Sequence, residues 1–135
     1  MQTDEATIRA YYDAFNAGDE AGMLALLTED VRHDINQGET EIGITAFDAF
    51  MARMNGAYRE QLRDIVVLLG PPGRAAAEFT VHGEYLRGEE GLPPAHGQRY
   101  VLPACAFFEL RGGKIARVSN YYNLPDWIRQ VSESE

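Results

Sequence analysis

Apolar side chains recur at helical spacing along the first part of the chain. Ile8, Tyr11, Tyr12 and Phe15 form one stripe, with Asp4 or Thr3 placed to cap it. Asn16-Ala17-Gly18 ends that helix, and Asp19 caps a second, short one carrying Met23, Leu24, Leu26 and Leu27. Thr28-Glu29-Asp30 reads as a polar turn into a strand that begins at Val31, alternates as far as Ile35 and breaks into a loop at Asn36–Gly38. Thr45, with Asp48 three residues on, has the spacing of a capping box for a third helix, whose stripe is Phe47, Phe50, Met51 and Met54.

From Gln61 the apolar period changes from 3.6 to 2, predicting a long antiparallel sheet. Leu62–Leu69 is one strand, stopped by Gly70-Pro71-Pro72-Gly73, and Ala75–Arg87 is the next. A polar, mobile-looking loop, Gly88–Gly97, leads to a strand over Arg99–Leu110, with a bulge or bend expected at Pro103. Arg111-Gly112-Gly113-Lys114 makes a tight hairpin into Ile115–Tyr122, and Pro125–Gln130 closes the chain as a helical turn. Helices followed by strands predict an α+β domain over residues 1–135: a cone-shaped, strongly curved antiparallel sheet with three N-terminal helices on its concave face. Such a bend leaves a pocket, and the small residues Gly83, Ala104 and Ala106 suit either a cavity wall or close helix–sheet contact.

Length and charge narrow the function classes. A chain of 135 residues suits one domain burying roughly two-thirds of its unfolded surface. A net charge of -9 without a basic run disfavours nucleic acid and anionic membranes as partners. No apolar stretch approaches a membrane span and the N-terminus has no leader pattern, so the expected compartment is cytoplasmic. The single cysteine, Cys105, lies in the apolar run LPACAFFEL and reads as a buried, inert thiol in a reducing compartment.

The candidate chemistry centres on His33 and Asp34, an ionisable pair just before a strand gives out, where the strand fixes position and the loop admits a ligand. The plainer reading makes both of them partly exposed strand-end polar groups. His33, His82 and His96 share no ligand spacing, so no metal site is expected. No phosphate-binding glycine loop follows a strand and no Gly-x-Ser-x-Gly elbow occurs, so no nucleotide cofactor and no serine hydrolysis are expected.

The strings YYDAFNAGD (11–19), LLTEDVRHD (26–34), EIGITAFDAF (41–50), EFTVHGEY (78–85) and FFELRGGKIARVSNYYNLPDW (107–127) resemble the nuclear-transport-factor-2-like superfamily, in its SnoaL-like and steroid delta-isomerase-related branch. The resemblance implies a cystatin-like roll with an apolar cavity, a small hydrophobic ligand and no cofactor. It also implies a homodimer through the outer sheet face. Set against ketosteroid isomerase, the general-base position falls on Asp34 and the oxyanion-hole tyrosine on Tyr11, while the second oxyanion acid falls on Ala106 or its neighbour Cys105. Either Asn120 or Tyr122 can replace the missing donor, or the chain is not a steroid isomerase; the same parity puts Tyr100, Phe108 and Ala106 on the cavity wall. Strand parity by the same resemblance turns His33 away from Asp34 and sends His82 and Glu84 to the outer face, leaving His96 solvated in its loop. The implied function is base-assisted proton transfer next to a carbonyl, of isomerase or cyclase type. The alternatives are a non-catalytic binding or dimerising module and an epoxide hydrolase, and the inward positions supply no Asp-Arg-Asp cluster for the last.

Overall fold

The computed structural model describes residues 3–36 and 38–133; Gln37 of the Asn36–Gly38 loop and the two residues at each end of the chain lie outside that description. Helix α1 (Asp4–Ala17) is capped by Thr3, whose hydroxyl accepts from the Ala6 N–H at 3.1 Å, and Gly18 closes it with φ of 72°. Asp4 instead accepts from the Gly73 N–H across the molecule. Helix α2 (Glu20–Leu24) is short because strand β1 (Leu27–Asp34) starts earlier than expected. The Thr28-Glu29-Asp30 segment is not a turn but part of this strand, since Leu27 is buried beside Ile115 while Glu29 and Asp30 face solvent.

A strand absent from the sequence reading, β2 (Thr40–Ile42), pairs with β1 and delivers the chain into helix α3 (Ile44–Ala57). The Gly43 N–H is held by the Val31 carbonyl at 2.8 Å and its φ is 102°. That sharp turn starts the helix at once, so Gly43 is the cap and the expected Thr45 capping box does not form. The remaining elements are β3 (Tyr58–Leu69), β4 (Arg74–Tyr85), β5 (Gln98–Arg111), β6 (Lys114–Tyr122) and α4 (Leu124–Glu133).

The six strands form one sheet in the order β2-β1-β6-β5-β4-β3. It is mixed, not wholly antiparallel: β1 runs parallel to β6, a long-range pairing that no local periodicity encodes. Pro103 makes no bulge against β4, where it stays in register opposite Thr80. The Val101 N–H points away from β4 to the Gln130 side chain, so Pro103, of the same parity, lacks its N–H on that side, where β6 has already ended opposite Ala104. The irregularity falls in β3 instead, at Asp64 with φ of 57°.

One end of the concave face is solid. Tyr11 and Tyr12 pack edge-on against Phe108, and Tyr12 against Phe79, while Ala106 is fully buried. At the other end α4 closes the roll: Trp127 and Val131 are buried, and Gln130 bonds both backbone groups of Val101. The loop after β4 is pinned by Tyr85, whose hydroxyl donates to the Pro93 carbonyl at 2.7 Å. Among the described residues no helix is long and apolar enough to cross a membrane. Between the two packed ends lies a cavity.

Candidate functional site

The cavity has a volume of about 710 Å³, a size suited to a small organic ligand, and most of its wall is apolar. Helix α1 contributes Tyr11 and Tyr12, α3 contributes Phe47, Phe50 and Met51, and α4 contributes Trp127. Sheet residues at alternate positions supply the polar groups: His33 from β1, Glu60 from β3, Tyr100 from β5, Asn120 and Tyr122 from β6.

Asp34 does not reach this cavity, which corrects the expectation that it looks inward as a base. Its carboxylate accepts from Arg32 Nε at 2.9 Å, Thr40 Oγ1 at 2.8 Å and Arg117 Nε at 3.0 Å, on the side of the sheet away from the hollow. Burial pushes the carboxyl up, but those three hydrogen bonds outweigh it and hold the group well below the usual carboxylate range. A carboxylate so satisfied is a poor acceptor for a substrate proton.

His33 takes the inward place. It is only 2 % exposed and sits against the rings of Phe47 and Phe50, at 4.7 and 4.6 Å between centroids. Burial disfavours its cation and lowers its pKa to about 4, although the Asp34 charge pulls the other way. The ring is therefore a neutral imidazole near pH 7. Its Nε2 lies 3.4 Å from Asn120 Nδ2, while Nδ1 is buried with no hydrogen-bond partner among the described residues.

The group that sequence reasoning missed is Glu60. It follows the α3–β3 junction and is partly buried, and its Oε2 accepts from the Tyr100 hydroxyl at 2.5 Å. Burial raises its carboxyl above the ordinary range, and the Tyr100 bond only partly opposes this. The contact depends on a third residue. Glu60, Gly83 and Tyr100 face one another across β3, β4 and β5, and a Cβ on Gly83 would come within 2.3 Å of the Tyr100 ring. Gly83 thus makes room for the tyrosine rather than for a ligand.

The other expected site residues divide. Tyr11 lines the cavity, and burial raises its phenol so that it stays a neutral donor. Asn120 and Tyr122 line it too; Tyr122 sits at the rim, 41 % exposed, its pKa raised by burial and by the charges of Glu60 and Glu89. Tyr100 lines it through the Glu60 bond. Phe108 and Ala106 do not; both are wholly buried in the packed end, so the wall expected there is core. His82 lies on the outer face and His96 is exposed. Among the described residues no group of three or more His, Cys, Asp or Glu side chains is placed to hold a metal ion.

The SnoaL-like domain family model matches residues 8–118. A crystal structure from Pseudomonas putida KT2440, provisionally named a polyketide cyclase, is 61 % identical, with 97 % of this chain and 99 % of that one covered and a TM-score of 0.95. Another so named, from Xanthomonas campestris pv. campestris, is 58 % identical over 94 % of this chain and 95 % of that one, with a TM-score of 0.90. The structure of TerC co-crystallised with polyporic acid shares the fold at 20 % identity, with 94 % and 96 % covered and a TM-score of 0.73. No curated protein matches the sequence. The family model spans most of the chain and the relatives align nearly end to end: the chain belongs to the SnoaL-like domain family and has the nuclear-transport-factor-2-like fold.

Proposed function

We propose that the protein binds a small hydrophobic carbonyl compound in this cavity and moves a proton on the carbon beside the carbonyl, as an isomerase or cyclase does. The observation that carries this reading is Glu60: a carboxyl of raised pKa, held by Tyr100, on the wall of a mostly apolar hollow. Glu60 accepts the proton, the C–H electron pair moves into the carbon–carbon bond, and the carbonyl oxygen becomes an enolate. Hydroxyls of Tyr11 or Tyr122 and the Asn120 amide, all lining the cavity, are donors for that oxygen. The protonated Glu60 then returns its proton to carbon. Two provisionally named polyketide cyclases of high identity and the polyporic acid co-crystallised with TerC support a small-molecule role.

Solvent deuterium exchange into 2-tetralone, followed by NMR, tests the assignment. The wild type accelerates exchange at the carbon next to the carbonyl, Glu60→Gln loses roughly a hundredfold or more, and Asp34→Asn keeps the rate while losing stability. Exchange unchanged in Glu60→Gln removes Glu60 as the base.

The second reading, a cavity that binds without catalysis, is favoured by one observation: the Asp34 carboxylate, at the isomerase base position, is committed to Arg32, Thr40 and Arg117. Exchange no faster with protein than without, for a ketone shown to bind, selects it. The protein is further proposed to act in the cytoplasm as a homodimer through the outer sheet face, where Val66, Leu68, Val101 and Phe107 are exposed.

A further inference from the structure

The charges around the cavity are one-sided once their partners are counted. Glu20, Glu60 and Glu89 line it, with Arg53 and Arg59. Both arginines are engaged: Arg53 Nε lies 3.6 Å from Glu89 Oε2, with its guanidinium over the Phe50 ring, and Arg59 Nη1 lies 3.8 Å from Glu84 Oε1. Glu89 also accepts from the Tyr58 hydroxyl at 2.8 Å, and Glu20 accepts from Asn55. Glu60 has no such cation. Its Oε2 takes the Tyr100 hydroxyl, and among the described residues no side chain bonds its Oε1 or forms an ion pair with it. The surroundings of that carboxyl are aromatic: Tyr58, Tyr100, Tyr122 and Trp127 line the cavity with it, and Trp127 lies 5.9 Å from both Tyr58 and Tyr100 between ring centroids.

We infer that the Glu60 end of the cavity selects ligands that present a hydrogen-bond donor on an aromatic skeleton, a phenol, an enol or a protonated amine, and excludes carboxylates. A donor satisfies the free carboxyl oxygen, and the aromatic faces favour a cationic head where there is one. An anion placed there meets the Glu60 carboxylate in a desolvated site, and among the described residues no unpaired cation lines the cavity to offset it. The inference rests on the cavity being the ligand site, and it adds the class of ligand that the site admits.

Isothermal titration calorimetry with three probes on one skeleton tests it: 2-naphthol, 2-naphthylmethylamine as its cation, and 2-naphthoate, all at pH 7.5. In the wild type the naphthol and the amine bind at least tenfold more tightly than the naphthoate. Glu60→Gln closes the gap to within about threefold, and Tyr100→Phe, which removes the hydrogen bond that favours the carboxylate over the neutral acid, narrows it as well. Naphthoate binding as tightly as naphthol, or a gap unchanged in both variants, overturns the inference and leaves the cavity as a ligand site intact. Binding of none of the three overturns the inference and the ligand site together.

Discussion

His33 and Asp34 show how much one residue of register decides. Val31, His33 and Ile35 share a parity, and both Val31 and His33 are buried. The local alternation therefore carried the answer, and the position-by-position likeness to an isomerase pointed to the neighbour. A shift of one along a strand exchanges the faces of every side chain. The consequence is measurable in stability. The pKa of His33 is depressed in the fold, to about 4 from its ordinary 6.5, so the stability tied to its neutral form is complete above 6.5. It drains away as pH falls from 6.5 through about 4, a loss on the order of 3 kcal/mol. Asp34, also depressed, contributes above the usual carboxylate range and loses its share only further down. Urea denaturation of the wild type and His33→Leu between pH 7 and pH 4.5 separates the two. The variant should lose the pH dependence across that interval, and an unchanged slope would show that His33 does not cause it.

At the scale of elements, helix stripes, strand periods and the Arg111–Lys114 hairpin were legible because each depends on neighbours in sequence. Strand β2 was not, because its three residues are too few to show an alternation; the parallel β1–β6 pairing and the role of Gly83 were not, because each depends on the register between separate strands. Glu60 belongs with these: only the β3–β4–β5 register sets it across Gly83 from Tyr100. That register makes Gly83 a positioning residue. In Gly83→Ala the new methyl would lie 2.3 Å from the tyrosine ring, so Tyr100 must move off Glu60, at a cost of about 1–3 kcal/mol in stability. Near-ultraviolet circular dichroism and the melting temperature read both effects. A variant with the spectrum and melting point of the wild type would mean that the ring has room to spare.

For the whole molecule, the sheet divides the protein into a face that holds the cavity and a face open to solvent. On the open face Val101 and Phe107 of β5 are 50 % and 43 % exposed, and Val66 and Leu68 of β3 lie across β4 from that strand. Exposed large apolar side chains on one sheet face are a feature of protein–protein contacts. Sedimentation velocity should show a dimer for the wild type and a monomer for the double variant Val101→Glu, Phe107→Glu. A monomeric wild type at tens of micromolar would exclude the proposed dimer. The packed end around Phe108 and the α4 closure bound the hollow between them, so Ala106 and Phe108, placed on the cavity wall by the family resemblance, belong to the core.

The most direct test is a crystal structure of the protein with 2-tetralone bound. The expected result is a ketone within the hollow, its carbon next to the carbonyl in contact with a Glu60 carboxyl oxygen and its oxygen within hydrogen-bond distance of Tyr11, Tyr122 or Asn120. A ketone seated elsewhere, or one whose reacting carbon faces away from Glu60, would contradict it.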